Sequence, residues 1–220
     1  MSYLNIGPKV IYLNSNRRRI LKYNTIIASE ISNIKEIGNN NTIINSKFVG
    51  DNIVIGNNCT FKNVVVGDNT TITDSYIEDS LIGKNCVVGP YSRIRPNSNI
   101  GDNCKIGNFV EIKNSQLGKG VKVSHLAYIG DAIIGDNTNV GCGVVFANYN
   151  GVKKHISIVG KNCFLGSNVN IIAPVKLKDD TYICAGTTVT KDTEEGDFVI
   201  GRVRDEVKKN YSYYLRNRRK

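Results

Sequence analysis

An aliphatic residue followed by glycine recurs along most of this chain. It appears at Ile37-Gly38, Val49-Gly50, Ile55-Gly56, Val66-Gly67, Ile82-Gly83, Val88-Gly89, Ile100-Gly101 and Ile106-Gly107, and continues to Leu165-Gly166. Many spacings are six or twelve residues, and others are five or eleven. A period of six matches neither an amphipathic helix nor a long alternating strand. It fits a chain that turns a corner every six residues, as a parallel β-helix does. Eight of these glycines open a Gly-(Asp/Asn/Lys)-Asn triplet, such as Gly101-Asp102-Asn103 and Gly135-Asp136-Asn137. Gly and Asn both tolerate positive φ, so the triplet is turn chemistry. The abundant Ile and Val favour the short strands between turns. The expected fold class is an all-β solenoid.

Cys59, Cys86, Cys104 and Cys163 each sit four residues after a repeat aliphatic, a slot filled elsewhere by Thr70, Val110, Val121 and Thr138. This reads as a small side chain facing inward at a corner, because a free Cys often acts as a small buried hydrophobe. With Cys142 and Cys184 there are six cysteines and no CxxC pair, so no metal site is expected and reduced thiols in the cytoplasm are. No apolar run approaches the length that spans a bilayer.

The formal net charge is +10, and the excess is concentrated at the end, where residues 202–220 hold eight Lys/Arg against two acidic residues. Nucleic acid is the first partner such a charge raises. A phosphorylated small molecule, coenzyme A or a solvated tail accounts for it equally well, and nucleic acid is not expected. The repeat divides the chain into an N-terminal cap or arm, or an irregular first coil (1–36, with Arg17, Arg18 and Arg19), the solenoid (37–201) and the basic tail (202–220). The rhythm breaks near 146–157, around Asn148, Tyr149, Asn150, Lys153, Lys154 and His155. Insertions at solenoid corners often build binding sites.

Longer strings carry more information than the repeat. GPYSRIRPNSNIGDNCKIGNFVEIK (89–113), LGKGVKVSHLAYIGDA (117–132), IGDNTNVGCGVVFANYNG (134–151), LGSNVNIIAPV (165–175) and AGTTVT (185–190) occur in that order. Together they resemble the acetyltransferase domain of the bacterial bifunctional N-acetylglucosamine-1-phosphate uridyltransferase/glucosamine-1-phosphate acetyltransferase. The resemblance is closest from residue 89 to about 202. It implies a left-handed parallel β-helix of about 18 residues per coil, forming a homotrimer with its active site between subunits. Residues 37–200 then make roughly nine coils, a prism on the order of 40 Å long at ~4.8 Å per layer. The family's uridyltransferase domain has no counterpart in residues 1–36, so acetyl transfer alone is expected.

The implied reaction moves acetyl from acetyl-CoA to the amine of glucosamine 1-phosphate. The amine must lose a proton to attack, and His is the natural base near neutral pH. His125, in SHLAY, matches the family's base, whereas His155 matches no functional position. Glu111 is expected to hydrogen-bond the imidazole. Arg95, Lys113 and Lys154 match contacts to the sugar and its phosphate, with Tyr128 and Asn139 on the sugar. Ser167 matches the position beside the acetyl group, where a donor stabilises the oxyanion. Cys142, Asn148, Tyr149, Ala185 and Arg202 match the remaining coenzyme A contacts. Position 142 is Cys where the family usually has Ala, and Arg204 stands where the family often has Pro. Other amino-sugar or nucleotide-linked acceptors, and a scaffold without activity, are the competing readings.

Overall fold

The computed structural model describes residues 23–31 and 34–218, and the Arg17–Arg19 cluster lies outside them. Among these residues there are 27 strands and one short helix, Tyr211–Asn217. Every strand pairing is parallel. Partners are one coil apart: Thr25 pairs with Thr42, Thr42 with Thr60, Thr60 with Tyr76, Arg93 with Glu111 and Glu111 with Tyr128. The coil length therefore varies by a residue or two, which is the slippage visible in the Gly spacing.

Three parallel faces wrap a single core. One is the 10-stranded sheet, with rungs that include Lys105–Asn108, Lys122–His125, Asn139–Val140, Phe164–Leu165 and Tyr182–Ile183. The other two join where the long strands Thr60–Val66 and Tyr76–Ile82 run around a corner, so they form one 17-stranded sheet. Inward side chains alternate with outward ones, as a pleated strand requires. The inward set is a continuous apolar column from Ile26 to Val189, with Phe48, Phe61 and Phe146 fully buried among Ile and Val.

The corners explain the asparagines. Asn52, Asn69, Asn85, Asn103, Asn137 and Asn162 all adopt left-handed backbone, with φ between 54° and 60°. Most side chains resist this conformation, and Asn tolerates it. The stacked amides also bond along the column, as from Asn85 Nδ2 to Asn103 Oδ1 at 3.1 Å. The four corner cysteines are buried, as their slot predicts. Their thiols donate to backbone carbonyls, for instance Cys86 Sγ to Gly101 O at 3.2 Å and Cys104 Sγ to Gly118 O at 3.1 Å. Thr70 and Thr138 do the same with their hydroxyls.

The boundaries differ from the sequence reading in three places. The ladder reaches back to Thr25, so residues 25–31 and 34–36 belong to early rungs of the solenoid, which begins before residue 37. Phe146 belongs to the strand Val145–Ala147 and Ser157 to Ser157–Val159, so the excursion between coils is residues 148–156. The basic tail carries the helix Tyr211–Asn217, none of whose residues is buried. Among the described residues no helix is long and apolar enough to cross a membrane.

Candidate active site

Strand register sorts the candidate residues into two groups. Val123 pairs with Val140, Val140 with Leu165, and Leu165 with Ile183. Two residues beyond each of these lie His125, Cys142, Ser167 and Ala185. They form one column up a corner of the prism, with Asn108 below His125. Arg202 follows the last rung of that face, Phe198–Val199, and its side chain passes 3.6 Å from where a Cβ on Gly186 would stand. From His125 to Ala185 the column rises three layers, about 14 Å at ~4.8 Å each. That is an open edge suited to an extended thioester arm. Asn139 lies on the adjoining face, in register with Lys122 and Phe164.

The second group occupies the next face and the corner beyond it. Arg95 follows the strand Arg93–Ile94; Glu111 and Lys113 lie on Glu111–Lys113; Tyr128 lies on Tyr128–Gly130. Arg95 Nη1 pairs with Glu111 Oε1 at 2.8 Å, and Lys113 Nζ stands 3.9 Å from Asp131 Oδ2. Gly130 has no Cβ because the Tyr128 hydroxyl and the Asn148 amide occupy that space. The Lys154 amine beside Lys113, and then burial, hold the Lys113 ammonium below the usual lysine range, with Arg95 adding to the effect and Asp131 opposing it. Three cations therefore converge here against two carboxylates, which leaves room for an anion.

Asp131 is the residue sequence reasoning missed. It sits at a left-handed corner (φ 52°) with 6% exposure. Its Oδ1 accepts from Asn114 Nδ2 at 2.5 Å, its Oδ2 accepts from Asn148 Nδ2, and it faces Lys113. It thereby ties the start of the 148–156 excursion to the cation cluster. The only sequence signal was Asp131 in a corner register, indistinguishable from Asp74 or Asp79. The excursion itself is a tight hairpin, with Tyr149 bridged to Lys154 and the Tyr149 hydroxyl donating to Gly151 O at 2.7 Å.

The two histidines differ in what their ring nitrogens do. In the excursion, Asn150 Oδ1 accepts from the backbone N–H of Val152 and Lys153, which turns its amide nitrogen toward His155 Nε2 at 3.0 Å. The lone pair of that nitrogen is thus consumed. His125 is exposed, and its Nδ1 lies 2.7 Å from Asn108 Oδ1, an acceptor. With Nδ1 donating to that oxygen, Nε2 is left with the lone pair, the arrangement a general base needs. Glu111, expected beside the imidazole, accepts through its Oε1 from Arg95 Nη1 in the single chain.

Within one chain the two groups stand on either side of the corner at Leu126 and Ala127. A cavity of about 460 Å³ lies on a different edge, lined by Leu81, Asn99, Asp102, Lys119 and Asp136, and no candidate residue reaches it. Among the described residues no group of three or more His, Cys, Asp or Glu is placed to hold a metal.

A profile of the GMPPB C-terminal domain family matches residues 87–199. The chain belongs to this family. The matched span includes every candidate residue from Arg95 to Ala185 and stops short of Arg202. Among curated proteins, the chain is similar to the bifunctional protein GlmU of Clostridium perfringens, 50% identical over 135 residues. That match covers 61% of this chain and 30% of the relative. The bifunctional protein GlmU of Aquifex aeolicus is 54% identical over 128 residues, covering 58% of this chain and 28% of the relative. The chain thus spans about 30% of the length of the curated relatives it matches. Among solved structures, PerB from Caulobacter crescentus, in complex with CoA and GDP-perosamine, is similar at 22% identity and TM-score 0.47. It covers 53% of this chain and 54% of PerB.

Proposed function

We propose that this protein transfers acetyl from acetyl-CoA to the amine of glucosamine 1-phosphate, in the cytoplasm, with His125 as general base. The observation that carries this reading is the free Nε2 of His125 at the foot of an open column, one corner away from the Arg95, Lys113 and Lys154 cluster. The 50% identity to the bifunctional protein GlmU supports the same reaction class. The thioester arm lies along Cys142, Ser167 and Ala185, where Ala185 carries only a methyl group and Cys142 is small. Arg202 meets the anionic end of the coenzyme. The sugar phosphate lies on the cation cluster, where Arg offers a fork and Lys a point charge. Tyr128 and Asn139 hydrogen-bond the sugar.

The amine nitrogen attacks the thioester carbonyl carbon, and His125 Nε2 takes the proton that nitrogen loses. Negative charge gathers on the carbonyl oxygen, beside the Ser167 hydroxyl, which donates to it. The tetrahedral carbon then expels the thiolate, and the imidazolium returns its proton to sulfur. Amide and free thiol are the products, and no covalent enzyme intermediate is needed.

The assembly is a homotrimer of left-handed β-helices with each site between two copies. In one chain the base column and the cation cluster stand on different faces of the prism, so a neighbour completes the site. Purified protein given acetyl-CoA and a panel of amino sugars should release free thiol fastest with glucosamine 1-phosphate. His125→Ala should lower the rate by about 10²-fold or more, and His155→Ala should not. No release with any acceptor, or a full rate in His125→Ala, would overturn the reading.

A further inference from the structure

We propose that Asn108 is the residue that sets the tautomer of His125, a positioning role that rests on reading His125 as the base. Three features of the fold place it there. Asn108 and His125 are register partners on adjacent rungs, so their side chains leave the same face one layer apart. The approach is close because Gly107 lacks a Cβ; one would collide with the Ser124 carbonyl of the next coil. Both backbones are then locked at the corner: Leu126 N–H donates to Asn108 O at 3.0 Å, and Phe109 N–H donates to Tyr91 O at 3.0 Å.

The corner carries a second mark of constraint. At this edge other coils place Asn40, Asn58, Asp74, Asn168 or a glycine in the left-handed conformation. Around the His125 rung the same conformation is forced on Tyr91, Phe109 and Leu126, with φ from 45° to 58°. Bulky residues with positive φ are costly and persist where the surroundings over-determine them. Tyr91 and Phe109 also stack, with ring centroids 5.7 Å apart and planes 9° apart, which fixes the backbone beside Asn108. The corner is stiffened where the amide meets the ring.

A carboxylate orienting a histidine holds the tautomer and also stabilises the imidazolium. An amide oxygen holds the tautomer without adding a charge. Glu111, the nearest carboxylate in the sequence pattern, is occupied by Arg95. The protein thus separates two tasks: Asn108 aims the ring, and Glu111 holds an arginine for the anion.

The test reads the tautomer directly. With only two histidines in the chain, ¹⁵N-labelled imidazole signals can be assigned by comparing wild type with His155→Ala. At a pH where the rings are neutral, wild-type His125 should show protonated Nδ1 and unprotonated Nε2. Asn108→Ala should release the ring to the solution preference for Nε2–H and lower kcat by about tenfold or more, with both KM values unchanged, since the wrong tautomer disables a general base. Asn108→Asp should keep Nδ1–H and move the acid limb of the kcat/KM profile to higher pH, because a carboxylate favours the imidazolium. Nε2–H in wild type, or an unaltered tautomer in folded Asn108→Ala, overturns the proposal. Should Asn108→Ala fail to fold, the wild-type spectrum and Asn108→Asp still decide. The spectra need no turnover, so a failed acetyl-transfer assay would sink the functional reading and leave this result standing.

Discussion

Replacing Asp131 by Asn changes almost no volume and removes one charge at the junction of the two halves of the site. Three interactions are affected. The carboxylate stands 3.9 Å from Lys113 Nζ, a separation worth about 4 kcal/mol at an effective dielectric of 20. Lys113 keeps 20% of its side-chain exposure and Asp131 8%, so solvent screens part of this, and a neutral amide costs less to bury than a carboxylate. Two amide donors, from Asn114 and Asn148, also converge on the two oxygens. In the variant only one oxygen remains, so one donor meets an NH₂ group, at a cost of about 1–3 kcal/mol. The net loss is about 3 kcal/mol, or a fall in Tm of roughly 6–12 °C for a chain of this size.

The functional consequence has a sign. Lys154, burial and Arg95 already lower the pKa of Lys113, with Asp131 the opposing influence. Without that carboxylate Lys113 loses its proton at a lower pH. The alkaline limb for binding the phosphorylated acceptor should therefore move to lower pH, and its KM should rise on the alkaline side of the profile. Loosening Asn148 should raise KM for acetyl-CoA as well. The measurements are thermal denaturation and the pH dependence of both KM values. A Tm within about 2 °C of wild type, with both KM profiles unmoved, would refute the assignment of Asp131 as the tether.

Three further changes follow from the packing. Gly130→Ala puts a methyl group into the space of the Tyr128 hydroxyl and the Asn148 amide; KM for both substrates should rise in steady-state assays while the circular dichroism spectrum stays that of a β-solenoid. Burial pushes the Cys59 thiol up to about 11 from an ordinary value of 9.0. Its contribution to stability is full below the unfolded value and is lost as pH rises through the folded one, so Tm should fall between about pH 9 and 11, and less steeply in Cys59→Ala. Phe61 is fully buried and packs edge-on to Phe48 with centroids 5.2 Å apart; Phe61→Ala should lose about 3–5 kcal/mol in urea titration.

The solenoid was legible in the sequence because its information is local. A corner needs positive φ every few residues, so Gly and Asn recur. A core needs one inward aliphatic per side, so Ile and Val recur. The buried cysteine slot was legible for the same reason, since each corner repeats one steric demand. The N-terminal start of the solenoid was less so: residues 25–31 and 34–36 make rungs without the aliphatic–Gly signature, because pairing with the next coil supplies the order that local turn chemistry does not.

The candidate residues themselves came from longer strings, and most fall on two coherent surfaces. What only the tertiary structure decided was which of them touch. Asn108 and His125 are separated by one coil in sequence and by one strand spacing in space. Asp131 gathers Lys113 and Asn114 from the coil before it and Asn148 from the coil after it. Glu111 meets Arg95 from the neighbouring coil. Such pairings depend on register, and register follows from the summed length of each coil. Coils of unequal length and one nine-residue excursion (148–156) shift that sum, so the repeat alone specifies the prism while the stacked structure specifies which side chains meet on its edges.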